Sequence, residues 1–294
     1  MSGRACAACG TPMRPDVLPG TFRCARCGFL SSDLPVRINA AEAIDEDVRA
    51  RALKPIRDAN FTQLLDACAD LLPPGTRLLD VGCAHGWFLQ AAAARGIAAE
   101  GLEPDRAMLA IAQAAGLKVR EGYFPNALPP DARFQAITFN DVFEHLPDPA
   151  GMARAVATAL APGGIAIVNL PVAEGFIFRA ARMLGRLGLR GPLARMWQEG
   201  LPSPHLSYFT APALERLLAD AGLRLVRRGE LASVVTTGLY ARIRYDRSVG
   251  PGRAAVLYAA ALAARVVAGL FPSDIQFFVF RRDAATGPAA PGAG

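Results

Sequence analysis

Between Arg77 and Leu170 short apolar runs alternate with helical stretches, and this alternation restricts the fold more than any other feature. Strands are expected at 77–81, 97–102, 117–120, 134–139 and 165–170. Helices are expected at 87–95, ending at Gly96, and at 105–115, with Asp105 as N-cap and Gly116 as C-cap. A third is expected at 149–160, stopped by Pro162-Gly163-Gly164. Such repeated units predict an α/β fold, a doubly wound parallel sheet covered by helices on both faces, with ligands at the carboxyl ends of its strands. After an interruption at 174–200 the pattern resumes with a helix at 211–221 and strands at 223–231 and 275–281; a second irregular apolar segment, 249–271, separates those two strands.

The chain has 294 residues, 52% apolar and 20% charged, enough for one large globular domain and a small one. Residues 1–173 carry 16 Lys/Arg against 18 Asp/Glu, and residues 174–294 carry 16 against 8, so an anionic partner is expected on the C-terminal part. Only Lys54 and Lys118 are lysines, an Arg bias without functional meaning by itself. Met1 leads into a polar, Cys-containing segment and not into a secretory signal, so a cytoplasmic protein is expected. Residues 284–294 read as a disordered tail.

Four of the six cysteines form CAAC at 6–9 and CARC at 24–27, each followed by Gly. Two C-x-x-C knuckles suit a four-thiolate zinc site made of Cys6, Cys9, Cys24 and Cys27; two disulfides are the alternative. Thirty residues hold too little core to fold without such a staple. The expected layout is a zinc ribbon over 1–32, a helical linker over 33–59 with an amphipathic helix at 60–72, and a main domain over 60–283 with helical insertions at 174–200 and 249–271. Cys68 and Cys83 fall outside the knuckles.

The stretch LLDVGCAHGWF, 78–88, joins the first strand of the series to its helix. Gly82 permits a sharp turn with a ligand close to the backbone, Gly86 leaves room beside the helix, and the helix start offers free N–H groups. A dinucleotide fingerprint would need Gly where Ala84 and Trp87 stand, which weighs against nicotinamide or flavin. Glu103 ends the second strand in EGLEPD, where an acid can accept hydrogen bonds from two ribose hydroxyls.

With FQAITFNDVFEHLPDP, LAPGGIAIVNLP and HLSYFTAPALERLLADAGL, these blocks resemble the class I S-adenosylmethionine-dependent methyltransferases. The subgroup is the one with ubiquinone-biosynthesis O-methyltransferases and type 23 methyltransferase domains. The resemblance covers about 60–283 and does not specify a substrate. It implies a Rossmann-like seven-stranded, mostly parallel sheet with the last strand antiparallel. It implies cofactor contacts from Asp80, Gly82, Cys83, Ala84, Gly86, Glu103 and Pro104, with Asn140, Asp141 and Val142 beneath the sulfonium. Ala84 departs from the usual middle Gly, and the Asp that often meets adenine is missing from EGYFP, which leaves Gly122 and Tyr123.

Methyl transfer to a hydroxyl needs positioning and is helped by a base. Of the three histidines, His85 reads as structural, while His145 and His205 are the candidate catalytic residues; capping or loop hydrogen bonds are the plainer reading of each. By resemblance to the ubiquinone enzymes, Glu144 with His145 could also ligate a divalent metal. Arg179, Arg182, Arg186 and Arg190 share one helical face within 176–190, a lid helix or a surface for anionic lipid. Residues 254–271 are similarly apolar but contain Arg265, which disfavours a spanning helix. With these two segments, peripheral contact at the inner membrane face stays open. The leading function is O-methylation of a small molecule: a sugar, a lipid-linked intermediate or a secondary metabolite. An RNA or protein methyltransferase that recognises substrate through the ribbon is the alternative, although few cations and aromatics in the ribbon disfavour nucleic acid. A non-catalytic ribbon adaptor is the third reading.

Overall fold

The structure, a computed structural model, describes residues 4–37, 46–233, 239–244, 249–268 and 271–283. Its elements in chain order are β1 (Met13–Pro15), β2 (Thr21–Cys24), β3 (Leu30–Ser32), α1 (Glu46–Ala67), β4 (Arg77–Val81), α2 (Trp87–Ala93), β5 (Ala98–Glu103), α3 (Arg106–Ala114), β6 (Val119–Glu121) and β7 (Phe134–Asn140). A 3-10 turn at Phe143–His145 leads to α4 (Pro149–Ala159), β8 (Leu160–Pro171), α5 (Phe176–Arg186), α6 (Gly191–Met196), β9 (Ser207–Tyr208), α7 (Ala211–Ala219), β10 (Leu223–Leu231), α8 (Leu239–Arg244), α9 (Pro251–Ala268) and β11 (Ile275–Arg282).

Seven strands form the main sheet in the order β10-β11-β8-β7-β4-β5-β6. The pairs β4–β5, β5–β6, β4–β7 and β7–β8 are parallel, and β11 runs antiparallel to both β8 and β10. The chain leaves β4 first toward β5 and later returns to β7 on its other side, so the strand order reverses at β4, the place where open α/β sheets bind ligands. Leu79, Ile137, Phe139, Ala166 and Val168 bury one face of the sheet and Leu78, Ala136, Ile165, Ile167 and Val279 the other, as period-two alternation in doubly covered strands requires. Asp105 caps α3 by accepting from the Ala107 and Met108 N–H groups, as expected from the sequence.

Several expected boundaries differ. The linker and main domain do not part at 59/60, because α1 runs unbroken through that point for 22 residues, with Pro55 inside it. Its buried stripe of Ala52, Ile56, Phe61, Leu64 and Leu65 outweighs the hydrogen bond that Pro55 removes. The helix stops at Ala67, short of the Pro73-Pro74-Gly75 signal. Strand β8 begins at Leu160, so Pro162-Gly163-Gly164 lies inside it, at a register shift against β7. The expected tail, 284–294, lies outside the described residues, as do 38–45 of the linker and 269–270 of the second insertion.

The N-terminal ribbon does not stand apart. Strands β1, β2 and β3 continue into β9 of the main domain, where Leu30 pairs with Tyr208 and Ser31 with Ser207. The Ser32 hydroxyl donates to the His205 carbonyl at 2.8 Å and the Thr210 hydroxyl to the Cys27 carbonyl at 2.7 Å. Aromatic rings run from the ribbon into the main sheet: Phe29 to Phe209 (4.9 Å), Phe209 to Phe143 (5.8 Å) and Phe143 to Phe139 (5.5 Å).

Candidate active site

The turn after β4 is built from left-handed residues. Gly82 and Gly86 have φ of 69° and 74°, and Ala84 between them has φ 46°. A Cβ on Gly82 would stand 2.8 Å from a Val142 methyl, so the glycine lets the β4 and β7 ends close on one another. For Ala84 the same conformation costs about 1 kcal/mol that Gly avoids, so the departure from the family pattern is conformational as well as one of size.

Two buried carboxylates organise this turn. Asp80 is 1% exposed and its Oδ1 accepts from the Thr138 hydroxyl (2.7 Å) and the Asn140 amide (2.9 Å). Burial pushes its carboxyl up to about 7 despite those two bonds, and nearby Glu103 adds to the shift. Glu103 accepts from the Ala84 N–H at 2.7 Å and the Asp105 N–H at 2.8 Å; burial raises it too. It therefore joins the end of β5 to the turn, with Pro104 half-buried beside it.

Helix α1 covers this region through residues the sequence did not mark. Arg57 forms an ion pair with Asp141, which also holds a positive φ of 53°. Lys54 lies 5.6 Å from the Trp87 ring, on which His85 stacks at 4.3 Å. Tyr123, 57% exposed after β6, is an open aromatic surface at the strand ends. Cys83 does not face the turn: its thiol packs against Gly101 in a cluster with Leu89 and Leu109, because the outward position after β4 belongs to Ala84.

The two candidate catalytic histidines meet, with ring centroids 4.8 Å apart. The His145 Nδ1–H donates to the Pro204 carbonyl at 2.8 Å, which sets the neutral tautomer with the lone pair on Nε2. His205 is 7% exposed and both its nitrogens are engaged: Nε2 accepts from the Gln198 amide (2.9 Å) and Nδ1–H donates to Tyr208 (3.1 Å), whose hydroxyl donates to the Met196 carbonyl (2.8 Å). Desolvation and neighbouring His145 hold it neutral. That geometry corrects the expectation of a base at His205, which has no open nitrogen to offer. Glu144 lies between them, fully buried, its Oε1 3.9 Å from His145 Nε2 and 4.0 Å from His205 Nε2, and neither carboxyl oxygen has a hydrogen-bond partner. Burial pushes it up to about 8. The ligand atoms of Glu144, His145 and His205 lie within 4.8 Å of one another. The orphaned carboxylate beside His145 Nε2 suits a divalent ion, with His205 Nε2 a third ligand, which spacing could not reveal, once it gives up the Gln198 amide.

Residues 51–228 match the family described as a methyltransferase domain. The chain belongs to that methyltransferase-domain family. It is similar to the ubiquinone biosynthesis O-methyltransferase of Marinobacter nauticus, 33% identical over 125 residues, which is 40% of this chain and 52% of the relative. It is also similar to that of Xanthomonas axonopodis pv. citri, 30% identical over 184 residues, 58% of this chain and 72% of the relative. The chain spans about half the length of the first curated relatives it matches. Among solved structures, a cyclopropane synthase from Mycobacterium tuberculosis superposes with a TM-score of 0.53 at 19% identity, covering 82% of this chain and all of that one. An S-adenosylmethionine-dependent methyltransferase from Mesorhizobium loti gives 0.50 at 20% identity, covering 80% and 100%. Both likenesses concern the fold.

The methyltransferase-domain match begins at residue 51, so the four-cysteine ribbon lies before it. Its thiols are free and converge: Cys6 to Cys27 and Cys9 to Cys24 at 3.5 Å, Cys9 to Cys27 at 3.6 Å. Sulfurs around a tetrahedral zinc at about 2.3 Å stand about 3.8 Å apart, close to this arrangement. In the first insertion the expected helix 176–190 is shorter, because α5 ends at Arg186 and the chain turns through Gly188 (φ 93°). Arg190 therefore leaves the shared face, while Arg179, Arg182 and Arg186 keep it. No helix among the described residues is long and apolar enough to cross a membrane.

Proposed function

We propose that this chain is an S-adenosylmethionine-dependent methyltransferase that methylates an oxygen of a small molecule. The observation that carries this reading is the joint made by Glu103 between the β5 end and the left-handed turn after β4, with buried Asp80 behind it. Glu103 and Pro104 bind the ribose side, Asp80, Gly82, Ala84 and Gly86 surround the methionine side, and Asn140, Asp141 and Val142 form the floor. S-adenosylmethionine, when bound, supplies a methyl group on a sulfonium, ready for in-line displacement. The carboxylates of Asp80 and Glu103 offer negative charge beside a cationic ligand, which would draw both toward their ionised forms.

His145 handles the acceptor's proton. It keeps more exposed side chain than Glu144 or His205 (18% against 1% and 9%), and its tautomer leaves Nε2 as an acceptor. Gln198, Tyr208 and His205 hold the imidazole pair in place. Where the divalent ion suggested by the resemblance is bound, Glu144, His145 and His205 would hold it, His145 Nε2 would be a ligand in place of a base, and the ion would polarise the acceptor oxygen. Zinc on Cys6, Cys9, Cys24 and Cys27 is structural in this reading and braces the ribbon.

Titration with S-adenosylmethionine, and separately with NAD, tests the proposal. Micromolar-range binding of the first and none of the second is expected; NAD binding, or no binding of either, would overturn it.

A further inference from the structure

A cavity of about 570 Å³ opens between the ribbon and α5. Its walls come from distant parts of the chain: Arg23 and Leu30 of the ribbon, Glu174 just after β8, the arginine face of α5, Thr210 and Phe271. That volume suits a small organic ligand.

The charges of this cavity are unbalanced. Arg182 is neutralised by a fork-like pair with Asp16, at 2.9 and 2.5 Å. Arg23, Arg179 and Arg186 make no side-chain hydrogen bond or ion pair among the described residues; Arg23 is near Asp16 and Arg179 near Glu174 only at longer range. Three guanidinium groups facing one cavity match a phosphate or diphosphate, whose oxygens accept bidentate bonds. The start of α5 is not the anion site, because Asp274 already accepts from its Ile177 and Phe178 N–H groups at 3.1 and 2.9 Å.

Two further observations describe the rest of the ligand. Phe176 and Phe271 stack at 4.9 Å along the wall, and Phe271 (46%) and Met183 (60%) are exposed, so an apolar moiety has a surface to cover. Glu174 accepts from the Ala211 N–H at 2.9 Å through Oε1, while its buried Oε2 has no partner and can accept from a ligand hydroxyl. Glu174 follows β8, and β8 runs parallel to β7, which runs parallel to β4, so Glu174 and the left-handed turn both follow the carboxyl ends of strands in one parallel set.

We infer that this cavity holds the part of the acceptor remote from the methylated oxygen and that it takes a phosphate-bearing amphiphile, its phosphate on Arg23, Arg179 and Arg186, its apolar part on Phe176, Phe271 and Met183, and a second hydroxyl, not the one methylated, toward Glu174. The identification as acceptor subsite rests on the methyltransferase reading. The ribbon is then a wall of the substrate site.

Calorimetric titration of the full chain with monomeric decyl phosphate, inorganic phosphate and uridine diphosphate tests this, with S-adenosylmethionine titrated into the same samples. Decyl phosphate is expected to bind at least tenfold more tightly than inorganic phosphate or uridine diphosphate. The double variant Arg179→Gln/Arg186→Gln, at exposed positions that leave the fold intact, should weaken decyl phosphate roughly 100-fold and leave S-adenosylmethionine unchanged. Equal binding by the double variant would overturn the site. Uridine diphosphate binding as well as decyl phosphate would overturn the amphiphile and point to a soluble nucleotide-linked acceptor. If decyl phosphate binds as expected but S-adenosylmethionine does not, the methyltransferase reading fails and the phosphate subsite stands without its role.

Discussion

The turn after β4 and the cavity beside α5 are assembled in opposite ways. The turn draws on the ends of β4, β5 and β7: Glu103 accepts from Ala84, 19 positions away, and Asp80 accepts from Thr138 and Asn140, 58 and 60 positions away. The cavity joins Arg23, Glu174 and Arg186, and the strand pair beneath it links β3 to β9 across more than 170 positions. On the proposed reading the cofactor half lies within the span of the methyltransferase-domain match, whereas the acceptor half takes part of its wall from the ribbon that precedes it. Changes to the ribbon should strike the second half hardest, and changes to the turn the first.

The largest effect is expected from Cys24→Ser. Cys24 is fully buried and belongs to the same apolar cluster as Phe29, Phe143 and Phe209. Loss of a metal ligand there should release zinc, measurable by elemental analysis, and destabilise the chain by on the order of 4 kcal/mol or more in urea unfolding. A variant with full stability and no metal would show that the ribbon needs no ion and would break the contrast.

Next is His145→Ala. Turnover on an identified acceptor should fall about 10²- to 10⁴-fold with cofactor affinity unchanged. His205→Ala should instead lower thermal stability as well as turnover, because it breaks the chain of bonds through Gln198 and Tyr208. A His145 variant that turns over normally would remove the proton-handling role.

A smaller effect concerns Glu144, whose carboxyl titrates at about 8 in the fold against an ordinary value of 4.5. Between those pH values the folded state binds a proton that the unfolded state has released. Stability contributed below about pH 4.5 is therefore lost as the pH rises through 8. Glu144→Gln carries no titrating group, so its urea midpoint should exceed that of wild type at pH 9 and match it near pH 5 in metal-free buffer. Identical pH profiles would show that Glu144 is ionised as it stands.

The smallest effect is Ala84→Gly. Relief of the φ 46° strain should stabilise the fold by about 0.5–1 kcal/mol, read as a modest rise in Tm. A destabilised variant would mean that the Ala84 methyl packs more favourably than its backbone is strained.

Much of the cofactor half was legible in the sequence because its signals are local. Asp105 as N-cap and Glu103 at the β5 end both follow from neighbours within one strand–helix unit. The Arg57–Asp141 pair, the position of His205 opposite Glu144 and the pairing of Ser31 with Ser207 carry no local pattern, because each depends on segments brought together by tertiary packing. The same cause hides the extent of α1: the local pattern divides linker from main domain at 59/60, and only the buried stripe against the sheet explains a helix continuous through that point. The Cys83 side chain shows a related effect: a residue within the turn after β4 can still send its thiol inward.

The most direct test of this division is a titration of S-adenosylmethionine into wild type, Glu103→Gln and His145→Ala. Glu103→Gln keeps the side-chain volume and replaces one acceptor with a donor. It should weaken binding by roughly 1.5–3 kcal/mol, about 10- to 100-fold, while His145→Ala stays within about twofold of wild type. Equal affinity for wild type and Glu103→Gln, or a larger loss in His145→Ala, would contradict the assignment of the cofactor to the turn after β4.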